Sequence, residues 1–243
     1  MDLPDVTGPG PGAERAPAGR ARSKPSRTDA EVVVMAASAG GLPVLRQILS
    51  GLPADFPLPI VIVQHRSMVV PSLAAQILSR AGPLPVKEAE QGEVLEPGTV
   101  YLTPPDRHLV LRPDLRVRLM DGHRIRFVLS SATPLFASAA FALEGRVIGV
   151  ALSGGGSDGT DGVESIRGMG GIVIAQDPST AQQTGMPASA IRTGAPDHVV
   201  AASQIAPLLV RLVRGGAPRR GPRGGSARRG ARSTFHHLTR GRD

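Results

Sequence analysis

Cysteine and tryptophan are absent from this 243-residue sequence, tyrosine occurs once and phenylalanine five times. Without cysteine there is no disulfide, no thiolate nucleophile and no cysteine-ligated zinc, so serine and histidine must carry any covalent chemistry. With aromatic residues at 2% of the chain, the platforms on which single-stranded nucleic acid stacks are scarce. No apolar run reaches the roughly 18 residues of a membrane span. Met1 to Arg27 also lacks the apolar core of a secretory signal. The expected location is cytoplasmic.

Net charge is missing from most of the chain, although the total is +8. From Arg214 onward nine arginines face one aspartate, whereas residues 1–31 carry five basic and five acidic groups. The remaining 14 basic and 14 acidic residues, in 32–213, cancel. The excess therefore belongs to an Arg/Gly-rich tail, expected to be solvated or to touch anionic surfaces weakly. No specific nucleic-acid partner is expected.

Residues 1–30 and 214–243 are rich in Pro, Gly, Ser and Arg, and both segments are expected to be disordered. Between them, 31–213 reads as one domain in which short β-branched runs alternate with segments of helical spacing. That is the pattern of an α/β fold with a doubly wound, mostly parallel sheet flanked by helices. Strands are expected at Glu31–Met35, Pro59–Val63, around Val86, at Thr99–Leu102, Arg146–Leu152 and Gly171–Ala175. Helices are expected at Leu42–Leu52, Leu73–Ala81, Thr133–Leu143 and Ser203–Val213. His108–Arg112 and Arg116–Met120 read as an antiparallel hairpin turning near Pro113, Asp114 and Leu115.

Three polar clusters follow directly after buried strands, the place where an open parallel sheet gathers ligands and reacting groups. The first, Ala36-Ala37-Ser38-Ala39-Gly40-Gly41, exposes a hydroxyl at a tight turn before a helix N-terminus. It suits a nucleophile, a helix cap or a phosphate cradle. The second holds His65, either a base within reach of Ser38 or a surface histidine. The third, Ser153-Gly154-Gly155-Gly156-Ser157-Asp158-Gly159-Thr160-Asp161-Gly162, offers a carboxylate that could orient an imidazole. An ordinary Gly-Asp turn, or a cation site at Asp158 and Asp161, are the alternatives. Together the clusters supply nucleophile, base and orienter in the order Ser, His, Asp, which is not the α/β-hydrolase order.

With these motifs the body, about 31–213, resembles the catalytic domain of the chemotaxis protein-glutamate methylesterase (CheB-type) family. The resemblance is carried by A-A-S-A-G-G at 36–41, V-Q-H at 63–65 and Y-L-T-P-P-D-R-H-L at 101–109. It continues in L-F-A-S-A-A at 135–140, L-S-G-G-G-S-D-G at 152–159 and A-Q-D-P-S-T-A-Q-Q-T-G-M-P-A-S-A-I at 175–191. It implies catalytic roles for Ser38, His65 and Asp158, without metal or organic cofactor. The implied oxyanion and cleft residues are Ala39, Gly155, Gln176, Thr184 and Met186, with Gly185 and Pro187 beside them. The implied reaction removes methyl esters from glutamate side chains of a chemoreceptor's cytoplasmic domain, with glutamine deamidation as a side activity.

Two departures stand out. The family's G-M-G is Gly154-Gly155-Gly156 here, and its Arg-Pro-Ser-x-Asp stretch is Leu129-Ser130-Ser131-Ala132-Thr133. A catalytically altered regulatory or binding module is therefore the alternative reading. Residues 1–30 are too short for a receiver domain, so any regulator is expected to act in trans.

Overall fold

A computed structural model describes residues 29–65, 73–121 and 130–215. The disorder expected at 1–30 and 214–243 lies outside these residues except for Asp29, Ala30, Arg214 and Gly215, and the basic tail lies outside them beyond Gly215.

Nine strands, six α-helices and one 3-10 turn follow each other among the described residues. Strands β1 (Val32–Ala37), β2 (Ile60–Gln64), β3 (Val86–Glu88), β4 (Val100–Leu102), β7 (Val147–Ala151), β8 (Ile172–Gln176) and β9 (His198–Val200) form one sheet. Their order is β3-β4-β2-β1-β7-β8-β9 and every pairing is parallel. β5 (His108–Leu111) and β6 (Val117–Met120) form the expected antiparallel hairpin as a separate two-stranded sheet. Leu115 turns between them with φ +59°.

The central strands are apolar on both faces because helices cover both. Alternate β1 residues divide between two cores. Val33, Met35 and Ala37 face α1 (Gly41–Ser50), α2 (Ala74–Ser79) and α6 (Ala202–Arg214). Val32, Val34 and Ala36 face α3 (Ala132–Ala142), α4 (Thr160–Gly168), α5 (Gly185–Arg192) and the hairpin. No helix among the described residues is long and apolar enough to cross a membrane.

The expected elements stand within about two residues of their predicted ends, and β1 pairs with β2. Sequence reading had not assigned α4, α5, the 3-10 turn Pro178–Thr180 or β9. Glycine opens or interrupts α4 and α5, weakening the helical signal. β9 is three residues at a sheet edge, too short to show a period.

The topology also locates a crevice. The chain runs outward from β1 through β2, then crosses to β7 on the other side of β1, so the order reverses between β1 and β7. In open parallel sheets, the carboxyl ends of strands at such a reversal leave a gap between oppositely directed connections.

Candidate active site

Ser38 follows β1 directly and His65 follows β2. Ala37 and Gln64 are register partners, so the next residues, Ser38 and His65, leave neighbouring strands side by side at a strand spacing of about 4.8 Å. The His65 N–H donates to Ala37 O at 3.0 Å, and the Ser38 N–H donates to Ser153 O at 2.9 Å. The ladder thus continues one residue past β2 on one side of β1 and one residue past β1 itself on the other. Below this level, the Gln64 side-chain amide donates from Nε2 to Ser38 O (3.0 Å) and to His65 O (3.1 Å), tying the two segments together.

Ser38 does not cap α1. That position belongs to Gly40, with φ +74° and no side-chain cap bond. A Cβ there would lie 2.5 Å from Gln182 Cβ and 2.8 Å from Ser153 Oγ, so both backbone sign and space require glycine. The consequence is a half-buried Ser38 at the end of a tight turn. Among the described residues, the N–H groups of Ala39, Gly40 and Gly155 donate to no protein group.

Asp158 is buried in a bed of donors. Its side chain is 4% exposed, and its Oδ2 lies 2.9 Å from His65 Nε2. The Ala132 N–H donates to Oδ2 at 2.7 Å, while Oδ1 accepts the Ser131 hydroxyl at 2.5 Å and, at 3.5 Å, that of Thr133. Burial disfavours the charged form, but the hydrogen bonds from His65, Ala132 and Ser131 outweigh it and hold the carboxyl below its ordinary range. Asp158 is therefore a carboxylate at neutral pH, able only to accept. His65 must then donate from Nε2, which leaves the lone pair of a neutral ring on Nδ1.

Such a ring is an acceptor held in place by a buried anion. The cation-site alternative gains no support, since no group of three potential metal ligands occurs among the described residues. The lone pairs of Asp158 are already taken by donors.

The loop after β7 packs against the segment before α5. The Gly154 N–H donates to Gln183 O at 3.0 Å and the Met186 N–H to Gly154 O at 2.8 Å. Ser153 Oγ donates to Ala39 O at 2.9 Å and accepts the Gln183 N–H at 3.0 Å. Met186 is buried beneath this loop, Pro187 beside it, and Gly185 approaches Gly156 so closely that a Cβ would lie 2.6 Å from its nitrogen. Gly155 and Thr184 are exposed, as is Ala39. Gln176 is fully buried: its Oε1 accepts the Ser153 N–H at 2.9 Å and its Nε2 donates to Thr180 O at 2.9 Å. It braces the loop from beneath.

Sequence reading did not single out Ser131, Ala132 or Thr133 as partners of Asp158. The one local signal was Ser131 before an apolar run, and Ser131 is indeed the N-cap of α3, accepting the Thr133 N–H at 3.2 Å.

The family model described as CheB methylesterase matches residues 33–209, which include Ser38, His65 and Asp158. The chain belongs to the CheB methylesterase family. The crystal structure of the Thermotoga maritima CheB methylesterase catalytic domain superposes with a TM-score of 0.72 at 38% identity, covering 76% of this chain and 100% of that one. A Myxococcus xanthus protein named protein-glutamate methylesterase/protein-glutamine glutaminase 4 is 42% identical over 184 residues, 76% of this chain and 52% of that protein. A Leptospira interrogans protein carries the same double name provisionally and is 37% identical over 190 residues, 78% of this chain and 98% of its own length. The chain thus spans about half of the longer CheB relative and nearly all of the shorter one.

Proposed function

We propose that this chain is a protein-glutamate methylesterase in which Ser38 is the nucleophile, His65 the general base and Asp158 its orienter. The observation that carries the reading is the His65–Asp158 pair at 2.9 Å, lodged beside Ser38 where the strand order reverses. Family membership and the names of the relatives supply the reaction class.

In this mechanism His65 Nδ1 takes the proton of Ser38 Oγ as the oxygen attacks the ester carbonyl of a methylated glutamate. Asp158 fixes the ring and stabilises the imidazolium that forms. The uncommitted N–H groups of Ala39, Gly40 and Gly155 are the candidate donors to the oxyanion. His65 returns the proton to the leaving methoxide, and methanol departs. A water activated by the same nitrogen then releases the glutamate carboxylate and restores Ser38. With glutamine in the site, ammonia leaves instead of methanol, which accounts for the second activity in the relatives' names.

The substrate is proposed to be the methylated cytoplasmic domain of a chemoreceptor-like protein. The test is methanol release from such a methyl-esterified domain by the full chain and by Ser38→Ala. A loss approaching about 10⁶-fold is expected in the variant, as for removal of the nucleophile in other serine hydrolases. Turnover that survives the substitution would overturn the reading.

A further inference from the structure

A second histidine lies behind the site. His108, in β5, is buried, and its Nδ1 accepts the Ser131 N–H at 3.2 Å. An accepting Nδ1 requires a ring whose proton is on Nε2. Ser131 in turn gives its hydroxyl to Asp158 Oδ1, and its neighbour Ala132 gives its N–H to Asp158 Oδ2. Those two donors are consecutive residues at the first turn of α3, so the placement of that turn sets the orientation of Asp158 and, through it, of His65.

The hairpin reaches the same turn from outside the main sheet, with which neither β5 nor β6 pairs. It packs on α3 through buried Leu109 and Leu111, and the Leu111 N–H donates to Ser138 Oγ at 3.0 Å about two turns further along. Apolar packing fixes how close hairpin and helix come, but it has little directional preference. The His108 acceptor is directional, and it fixes where the Ser131 N–H points.

We infer that His108 is a positioning residue for the esterase reaction, acting through the hydrogen-bonded series His108, Ser131, Asp158 and His65. The inference rests on the serine mechanism proposed above. It gives the hairpin a purpose, which is to anchor the turn that holds the orienting carboxylate. A histidine kept only to fill space predicts the opposite ranking of substitutions.

The experiment compares His108→Asn with His108→Phe in the full chain. Asn loses the ring but can place Oδ1 where Nδ1 was; Phe keeps the ring but has no acceptor. Methanol release gives kcat and KM, the rate of Ser38 labelling by a fluorophosphonate reports the nucleophile directly, and thermal melting checks folding. His108→Asn is expected to keep kcat within about 3-fold, while His108→Phe loses roughly 10- to 100-fold in kcat with KM little changed, the scale of an ångström-sized misplacement. Equal rates in the two, or a faster Phe variant, would overturn the inference.

If the Phe variant fails to fold, His108→Gln replaces it, since it carries its oxygen one carbon farther from the backbone. Slower turnover by Gln than by Asn supports the inference, and equality refutes it. Ser38→Ala is run alongside. Labelling and turnover that persist in it sink the serine mechanism and this inference together, whereas their loss in Ser38→Ala with indifference at position 108 sinks the inference alone.

Discussion

The three consecutive glycines after β7 should respond to alanine in three different ways. A Cβ on Gly154 would lie 2.1 Å from Met186 Sδ and 2.8 Å from Ser38 Cβ. The methionine end can swing, but Ser38 is a short side chain on the backbone of a central strand's end, and giving way means moving the hydroxyl. The expected cost is that of an overpacked core, about 1–3 kcal/mol. For a domain of this size, about 2–4 °C in Tm per kcal/mol gives a fall of roughly 2–12 °C. Gly156 meets nothing within 4 Å but has φ +75°, so Gly156→Ala costs backbone strain alone, about 1–2 kcal/mol. Gly155 meets nothing and lies outside the left-handed region. Gly155→Ala should therefore leave stability unchanged or raise it by up to about 1 kcal/mol, through a less flexible unfolded chain. Denaturant or thermal unfolding of the three variants gives the ranking, and fluorophosphonate labelling should slow in Gly154→Ala. If Gly155→Ala destabilises as much as Gly154→Ala, the packing argument for this loop is wrong.

Asp158→Asn should lower turnover at pH 7 by as much as about 10⁴-fold, the scale seen when a triad aspartate loses its charge. Because the folded state holds this carboxyl below its ordinary range, its contribution to stability is present above about pH 4 and is lost as pH falls through the folded value. The Tm difference between wild type and Asp158→Asn should thus shrink in acid, and a difference that stays constant down to pH 3 would contradict the assignment. Gln64→Leu removes two donors from the carbonyls of Ser38 and His65, and a loss of about 1–3 kcal/mol in denaturant titrations is expected. No loss of stability in this variant would show that the ladder alone holds the two segments together.

Much of this was legible locally. Runs such as Val32–Met35 and Ile60–Val63 are β-branched and apolar on both faces because their strands are buried on both faces, and that pattern needs no partner to be read. Ser38, His65 and Asp158 were conspicuous because each stands among small or polar residues just past such a run. Their chemical type and position after a strand are properties of the sequence itself.

The third dimension decided the rest. The sequence could not say which His65 nitrogen meets the carboxylate, since that depends on how the ring and Asp158 are turned by their surroundings. Nor could it say that Gln176 would brace Ser153 from beneath, because a side chain at the end of a buried strand goes where the neighbouring loop leaves donors and acceptors. The partners of Asp158 come from a helix turn 26 and 27 residues away, and His108 lies a further 23 residues before Ser131. Hydrophobic periodicity is a local signal and determined the strands, the helices and the loops that carry the site. Hydrogen bonds between distant segments depend on distance and angle, and only the packing of the hairpin, α3 and the β7 loop against one sheet sets those.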